Sequence, residues 1–97
     1  MNTRKNRRIK RLTQLPGFLV LDIKREISAR RESGLKSRIC IILHYNGTGY
    51  IIEETERKIY TIYEMNTEIL KAEYTRGYQA PFKTKIIEFK ECELWEI

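Results

Sequence analysis

Few residues in this chain have side chains suited to chemistry at neutral pH. His44 is the one histidine, and imidazole alone among side chains has an unperturbed pKa near neutrality. Tyr45 adjoins it, and Arg38 and Tyr50 are close in sequence. A base, a phosphate-binding cation and a phenol are the parts of a small metal-free ribonuclease. The plainer alternative for His44 is a half-exposed residue at the end of a strand. Acids pair at Glu53-Glu54 and again at Glu91 and Glu93. On a strand, Glu91 and Glu93 would share a face that could hold a hard cation, the alternative being two solvated edge residues.

Other familiar chemistries are missing. The segment Gly47-Thr48-Gly49 is too short for a phosphate cradle and reads as a hairpin turn. There is no P-loop, dinucleotide fingerprint, zinc-protease helix, nucleophile elbow or EF-hand loop. Cys40 and Cys92 lie far apart with no CxxC partner, and with a single histidine they cannot supply the four ligands of a structural zinc site. Both sit in apolar runs and are expected as buried free thiols, a Cys40–Cys92 disulfide being the alternative. No catalytic residue, metal or cofactor is assigned, which turns the reading away from an enzyme.

The informative signal is charge. The net charge is +6, unevenly spread. Residues 1–12 carry Arg4, Lys5, Arg7, Arg8, Lys10 and Arg11 and no acid. Residues 13–38 add Lys24, Arg25, Arg30, Arg31, Lys36 and Arg38 against Asp22, Glu26 and Glu32. Beyond residue 38, acids outnumber bases. Crowded like charges repel, so residues 1–15 are expected to be a basic flexible arm that orders when an anion neutralises it, or else a solubilising tail.

The elements that must position these groups are read from periodicity. Ninety-seven residues allow one domain, expected over 16–97. Pro16-Gly17 breaks any helical turn in the arm. From Leu19 to Arg30, five of the six odd positions are apolar and one of the six even ones, whereas a helical stripe at 19, 22, 23, 26, 27 and 30 holds three of six. A strand is therefore expected, with a helix stopped by Gly34 as the alternative. The run Ile39 to Leu43 is apolar throughout and reads as a central strand covered on both faces. Asn46-Gly47 supplies a tight turn into a partner strand at Tyr50–Glu54, and a polar turn at 54–58 leads to a third strand at Ile59–Met65. Residues 66–76 fit either strand or helix. Gly77 to Lys83 reads as a loop. Thr84 to Ile97 reads as one long strand whose apolar phase shifts near Lys90 to Glu93, as at a bulge. The expected fold is mostly β: a small antiparallel barrel or strongly curved sheet of five or six strands with at most one helix, preceded by the basic arm.

These features favour a noncatalytic nucleic-acid-binding module, RNA or DNA. The arm would contact phosphates through Arg4, Lys5, Arg7, Arg8, Lys10 and Arg11, and Arg25, Arg30, Arg31 and Arg38 would extend the footprint over a β surface. Tyr45, Tyr50, Tyr60, Tyr63, Tyr74 and Tyr78, with Phe82, could offer stacking platforms or serve as strand packing. A second possibility is a small regulator or inhibitor docking on an acidic partner protein, with Leu94-Trp95-Glu96-Ile97 adding as a strand. The longest early apolar stretch, Phe18 to Leu21, is far too short for a secretory signal or a membrane span. A cytoplasmic location is expected.

Overall fold

A computed structural model describes residues 9–66 and 83–97. A 3-10 turn at Leu12–Gln14 leads into helix α1 (Gly17–Glu32). Strands β1 (Cys40–Tyr45), β2 (Thr48–Glu56), β3 (Ile59–Asn66) and β4 (Thr84–Lys90) follow, and the short helix α2 (Glu91–Trp95) comes last. The strands form one antiparallel sheet in the order β1-β2-β3-β4. This corrects the expected architecture: the sheet is open, four-stranded among the described residues, and accompanied by two helices.

The stretch taken as the first strand is α1. Pro16, read as the end of helical structure, is instead the residue that opens it: its carbonyl accepts from the Leu19 and Val20 amides. Proline tolerates this position because its missing N–H would have no helical partner there. The buried positions are Leu19, Val20, Ile23 and Ile27, spaced for one helical face. Leu21 and Phe18 are about half exposed on the other side, and Leu21 produced the false alternation. A stripe drawn through Val20 rather than 22 and 26 would have found the helix.

The buried face of α1 packs on one side of the sheet, among Ile41, Tyr50, Ile52, Tyr60, Ile62, Ile87 and Phe89. Each such side chain contributes roughly 1.5–3 kcal/mol through burial. Tyr60 and Phe89, opposite each other in the β3–β4 register, stack with ring centroids 5.4 Å apart. Leu12 and Leu15 belong to the same cluster, and the Ile9 amide donates to the Ile86 carbonyl on β4 at 2.7 Å. Residues 9–15, assigned above to the arm, are thus built into the domain.

Three further expectations change. Among the described residues β1 lies at the edge of the sheet rather than its centre, and Ile42 on its outer face is 40% exposed. Cys40 and Cys92 are free, but exposed rather than buried. The phase shift after Phe89 marks a change of element, not a bulge: the chain leaves the strand at Lys90 and turns into α2, which buries Glu91 and Leu94 three residues apart. Glu93 caps this helix by accepting from the Lys90 amide at 2.7 Å. Asn46-Gly47 turns as expected, with φ of 46° and 85°, the left-handed pair that matches the twist of a two-residue hairpin. The remainder of the ambiguous stretch 66–76 beyond Asn66, and the loop expected around Pro81, fall outside the described residues.

Candidate anion-binding cleft

The β2–β3 turn at Arg57-Lys58 and the segment after α1 approach each other at one end of the sheet. Between them lies a cleft of about 520 Å³ lined by Arg31, Leu35, Lys36, Ser37, Arg38, Glu54, Arg57 and Lys58. Three separate segments supply its cations. Arg31 comes from the last turn of α1, Lys36 and Arg38 from the connection to β1, and Arg57 and Lys58 from the hairpin turn.

The turn is held in place by a buried polar network. Glu54, 6% exposed, accepts from the Ile39 amide at 2.9 Å and from the Lys58 amide at 2.7 Å. Its second oxygen also receives Arg31 Nη2 at 3.2 Å. The same Nη2 reaches Glu91 Oε1 at 2.7 Å and the Tyr60 hydroxyl oxygen at 3.0 Å, while Tyr60 donates to Glu91 at 2.6 Å. The Glu91 amide closes the far side of the turn on the Lys58 carbonyl at 2.8 Å. Lys58 adopts a φ of +62°, a left-handed conformation that costs a side-chain-bearing residue roughly 1–2 kcal/mol relative to glycine. Its two clamped backbone groups hold it there.

Electrostatics follow from this wiring. Burial works to raise the Glu54 carboxyl, but the Lys58 and Ile39 amides and Arg31 outweigh it and hold it below the ordinary range. Glu91 is also lowered: burial opposes ionisation, and Arg31 and Tyr60 overcome it. The Glu91 contact in turn raises the Arg31 guanidinium above its ordinary value against the effect of burial. The one carboxylate lining the cleft is therefore ionised but neutralised from within the protein. Arg31 makes all three of these contacts through Nη2, and its buried Nε has no hydrogen-bond partner. Arg38 donates Nη1 to the Thr55 carbonyl. Among the described residues, no carboxylate lies within ion-pair distance of Lys36, Arg38, Arg57 or Lys58.

The structure divides the expected binding residues into groups. Arg31 and Arg38 meet at the cleft. Arg30 pairs with Glu26 at 2.5 Å, and Arg25 lies 3.5 Å from Asp22, both on α1 rather than on a strand. Lys10 and Arg11 are exposed beside β4, in a shallow groove they share with Glu88, Glu93 and Glu96. Arg4, Lys5, Arg7 and Arg8 lie outside the described residues. Arg57 and Lys58, expected only as part of a polar turn, join Arg31 and Arg38 at the cleft. Their signal was available, two adjacent cations at a hairpin tip, but its convergence with Lys36 was not.

The ribonuclease-like set does not assemble. His44 and Tyr45 are consecutive on β1 and point to opposite faces. Tyr45 donates its hydroxyl to Asp22, and its pKa is pushed up to about 12, first by burial and then by that carboxylate. Arg38 lies six residues from His44, about 20 Å along an extended chain. Tyr50 and Tyr60 are core residues, so neither forms a stacking platform. Tyr63 is half buried with Lys83 Nζ 4.2 Å above its ring, and Tyr74, Tyr78 and Phe82 lie outside the described residues. Glu91 and Glu93 share no cation-binding face, because Glu91 turns into the network and Glu93 caps α2. No group of three or more metal-ligating side chains occurs among the described residues. No helix among them is long and apolar enough to cross a membrane.

Comparison with protein families, with curated proteins and with solved structures finds no match.

Proposed function

We propose that this protein is a noncatalytic nucleic-acid-binding module of the cytoplasm, which uses its basic N-terminal residues together with the cationic cleft. One observation carries the reading. Lys36, Arg38, Arg57 and Lys58, drawn from two separate segments, line a single cleft, and none of them has a carboxylate partner among the described residues. Unpaired cations held together repel one another, and a phosphate placed among them relieves that repulsion while releasing counterions. The network fixes the backbone of the turn at Lys58, and the Thr55 carbonyl holds Arg38, which lowers the ordering cost of binding. Arg4, Lys5, Arg7 and Arg8 add four more positive charges.

The test begins with purification. The protein is expected to carry nucleic acid, read as a raised ratio of absorbance at 260 to 280 nm that falls after a high-salt wash. Fluorescence anisotropy with single-stranded RNA and DNA then measures affinity between about 50 and 200 mM salt. Removal of residues 1–8 should leave a folded domain, since the core formed by the described residues begins at Leu12, and should weaken binding without abolishing it. Failure to bind any RNA or DNA at the lowest salt refutes the proposal.

That failure would favour a protein partner, for which a different feature speaks. Leu15, Val20, Leu21 and Ile97 line an apolar groove of about 310 Å³ with Lys24 at its side. The route by strand addition through Leu94–Ile97 is closed, because Leu94 is fully buried on α2.

A further inference from the structure

We infer that the cleft recognises a terminal phosphate monoester of a nucleic-acid strand, rather than tracking the diester backbone along its length. The inference rests on the nucleic-acid reading and specifies what its central site takes.

Shape is the first reason. A surface that follows a backbone is a stripe of cations spaced along the chain, open at both ends. Here the cations come from three segments and converge on one cleft of about 520 Å³, a volume within the range of small-ligand pockets. Glu54, 6% exposed, lines it from below and is fastened to Ile39, Lys58 and Arg31. Cations converging from three segments can surround one phosphate group, whereas a backbone running through would present its charges in a row.

Charge is the second. A diester carries one negative charge, whereas a monoester carries about −1.5 to −2 at pH 7 and offers three strong acceptor oxygens. The site holds four cations without carboxylate partners among the described residues, an excess that one diester cannot neutralise. The donors also suit a tetrahedral group approached from several sides. Arg38 and Arg57 supply planar forks, Lys36 and Lys58 supply compact charges, and the Ser37 hydroxyl is a further donor.

The third reason is the cost of placing Lys58. A lysine with φ of +62° occupies a position where glycine would be unstrained. Glu54 and the Glu91 amide clamp its backbone in that conformation, so the strained position presents the Lys58 side chain to the cleft from a fixed point.

The test compares short oligothymidylates of one length that end in a 5′-phosphate, a 3′-phosphate or hydroxyls at both ends. Anisotropy competition with the full chain is the readout. One phosphorylated form should bind about tenfold or more tightly than the hydroxyl form, the gain expected from one added charge-assisted contact, and the preferred form identifies the end. Lys36→Gln and Arg57→Gln should each reduce that preference severalfold while leaving the circular dichroism spectrum unchanged. Lys85→Gln, on an exposed strand position paired with Glu88, should not alter it. Equal binding of all three forms overturns the inference and leaves the nucleic-acid reading standing. A preference that persists in both cleft variants also overturns it, because the end is then held elsewhere. Binding of none of the oligothymidylates overturns the inference, and the nucleic-acid reading falls with it only if RNA is not bound either.

Discussion

Replacing Arg31 with methionine takes one positive charge from between two buried carboxylates while keeping most of the apolar stem. Glu54 and Glu91 have side chains 3% and 9% exposed, and Arg31 Nη2 lies 3.2 and 2.7 Å from them. Breaking a buried pair by removing one partner costs about 3–5 kcal/mol. Arg31 itself is 31% exposed, so water already screens part of the interaction and a loss of about 3 kcal/mol at pH 7 is expected. With a urea dependence of about 2 kcal/mol per molar, the unfolding midpoint should fall by about 1.5 M.

The pH dependence is the sharper part of this prediction. In the native protein Glu54 and Glu91 are both held below their ordinary range. Their contribution is therefore fully present above the unfolded carboxyl pKa of about 4.3, and it is lost as pH falls through the lower folded values. In Arg31→Met the burial of Glu91 remains and its cation is gone, so its folded pKa moves above the unfolded one. The folded variant then binds the extra proton, and its stability should rise as pH drops from 7 toward 4.5 while the native protein stays level. Urea titrations of both proteins at pH 7 and 4.5, followed by circular dichroism, measure the gap. A gap that is the same at both pH values, or under about 1 kcal/mol at pH 7, refutes this assignment of the network.

Two other predictions concern the fold. Ile23→Ala on α1 should cost about 2–5 kcal/mol by urea unfolding, because Ile23 is fully buried between helix and sheet; a loss under 1 kcal/mol would remove α1 from the sheet face. Both cysteines should react with a thiol reagent in the native protein, and Cys40 should be the slower at neutral pH, since partial burial and the Glu53 carboxylate raise its pKa. Protection of both thiols until denaturation would contradict the exposed positions of β1 and α2.

The parts of the fold legible in the sequence were those governed by local turn chemistry. Asn46-Gly47 specified a hairpin, and the polar turn before Ile59 specified the next one, so the β1-β2-β3 meander could be read directly. α1 was not legible by counting, because Leu21 and Ala29 lie on its exposed side and mimic strand alternation. Glu91 was legible only as one of two acids that could share a strand face, since nothing in sequence links it to Arg31, sixty residues away, until the fold brings them together. The cleft was half visible. Charge counting singled out Arg31 and Arg38, but only the approach of the β2–β3 turn to the end of α1 adds Arg57 and Lys58. Charge summed along the chain therefore placed its weight on the N-terminal residues and missed a cluster assembled by the fold.

The most direct test of phosphate binding at the cleft is the salt dependence of single-strand affinity for the native protein and for the triple variant Lys36→Gln, Arg57→Gln, Lys58→Gln. Each phosphate contact contributes about −0.7 to the slope of log K against log salt on single strands. Because the cleft cations share one terminal phosphate of about two negative charges, their loss should make the slope less steep by about 1 and weaken binding between about 50 and 200 mM salt, most of all at the lowest. An unchanged slope and affinity in a variant that remains folded would contradict the cleft as the phosphate-binding site.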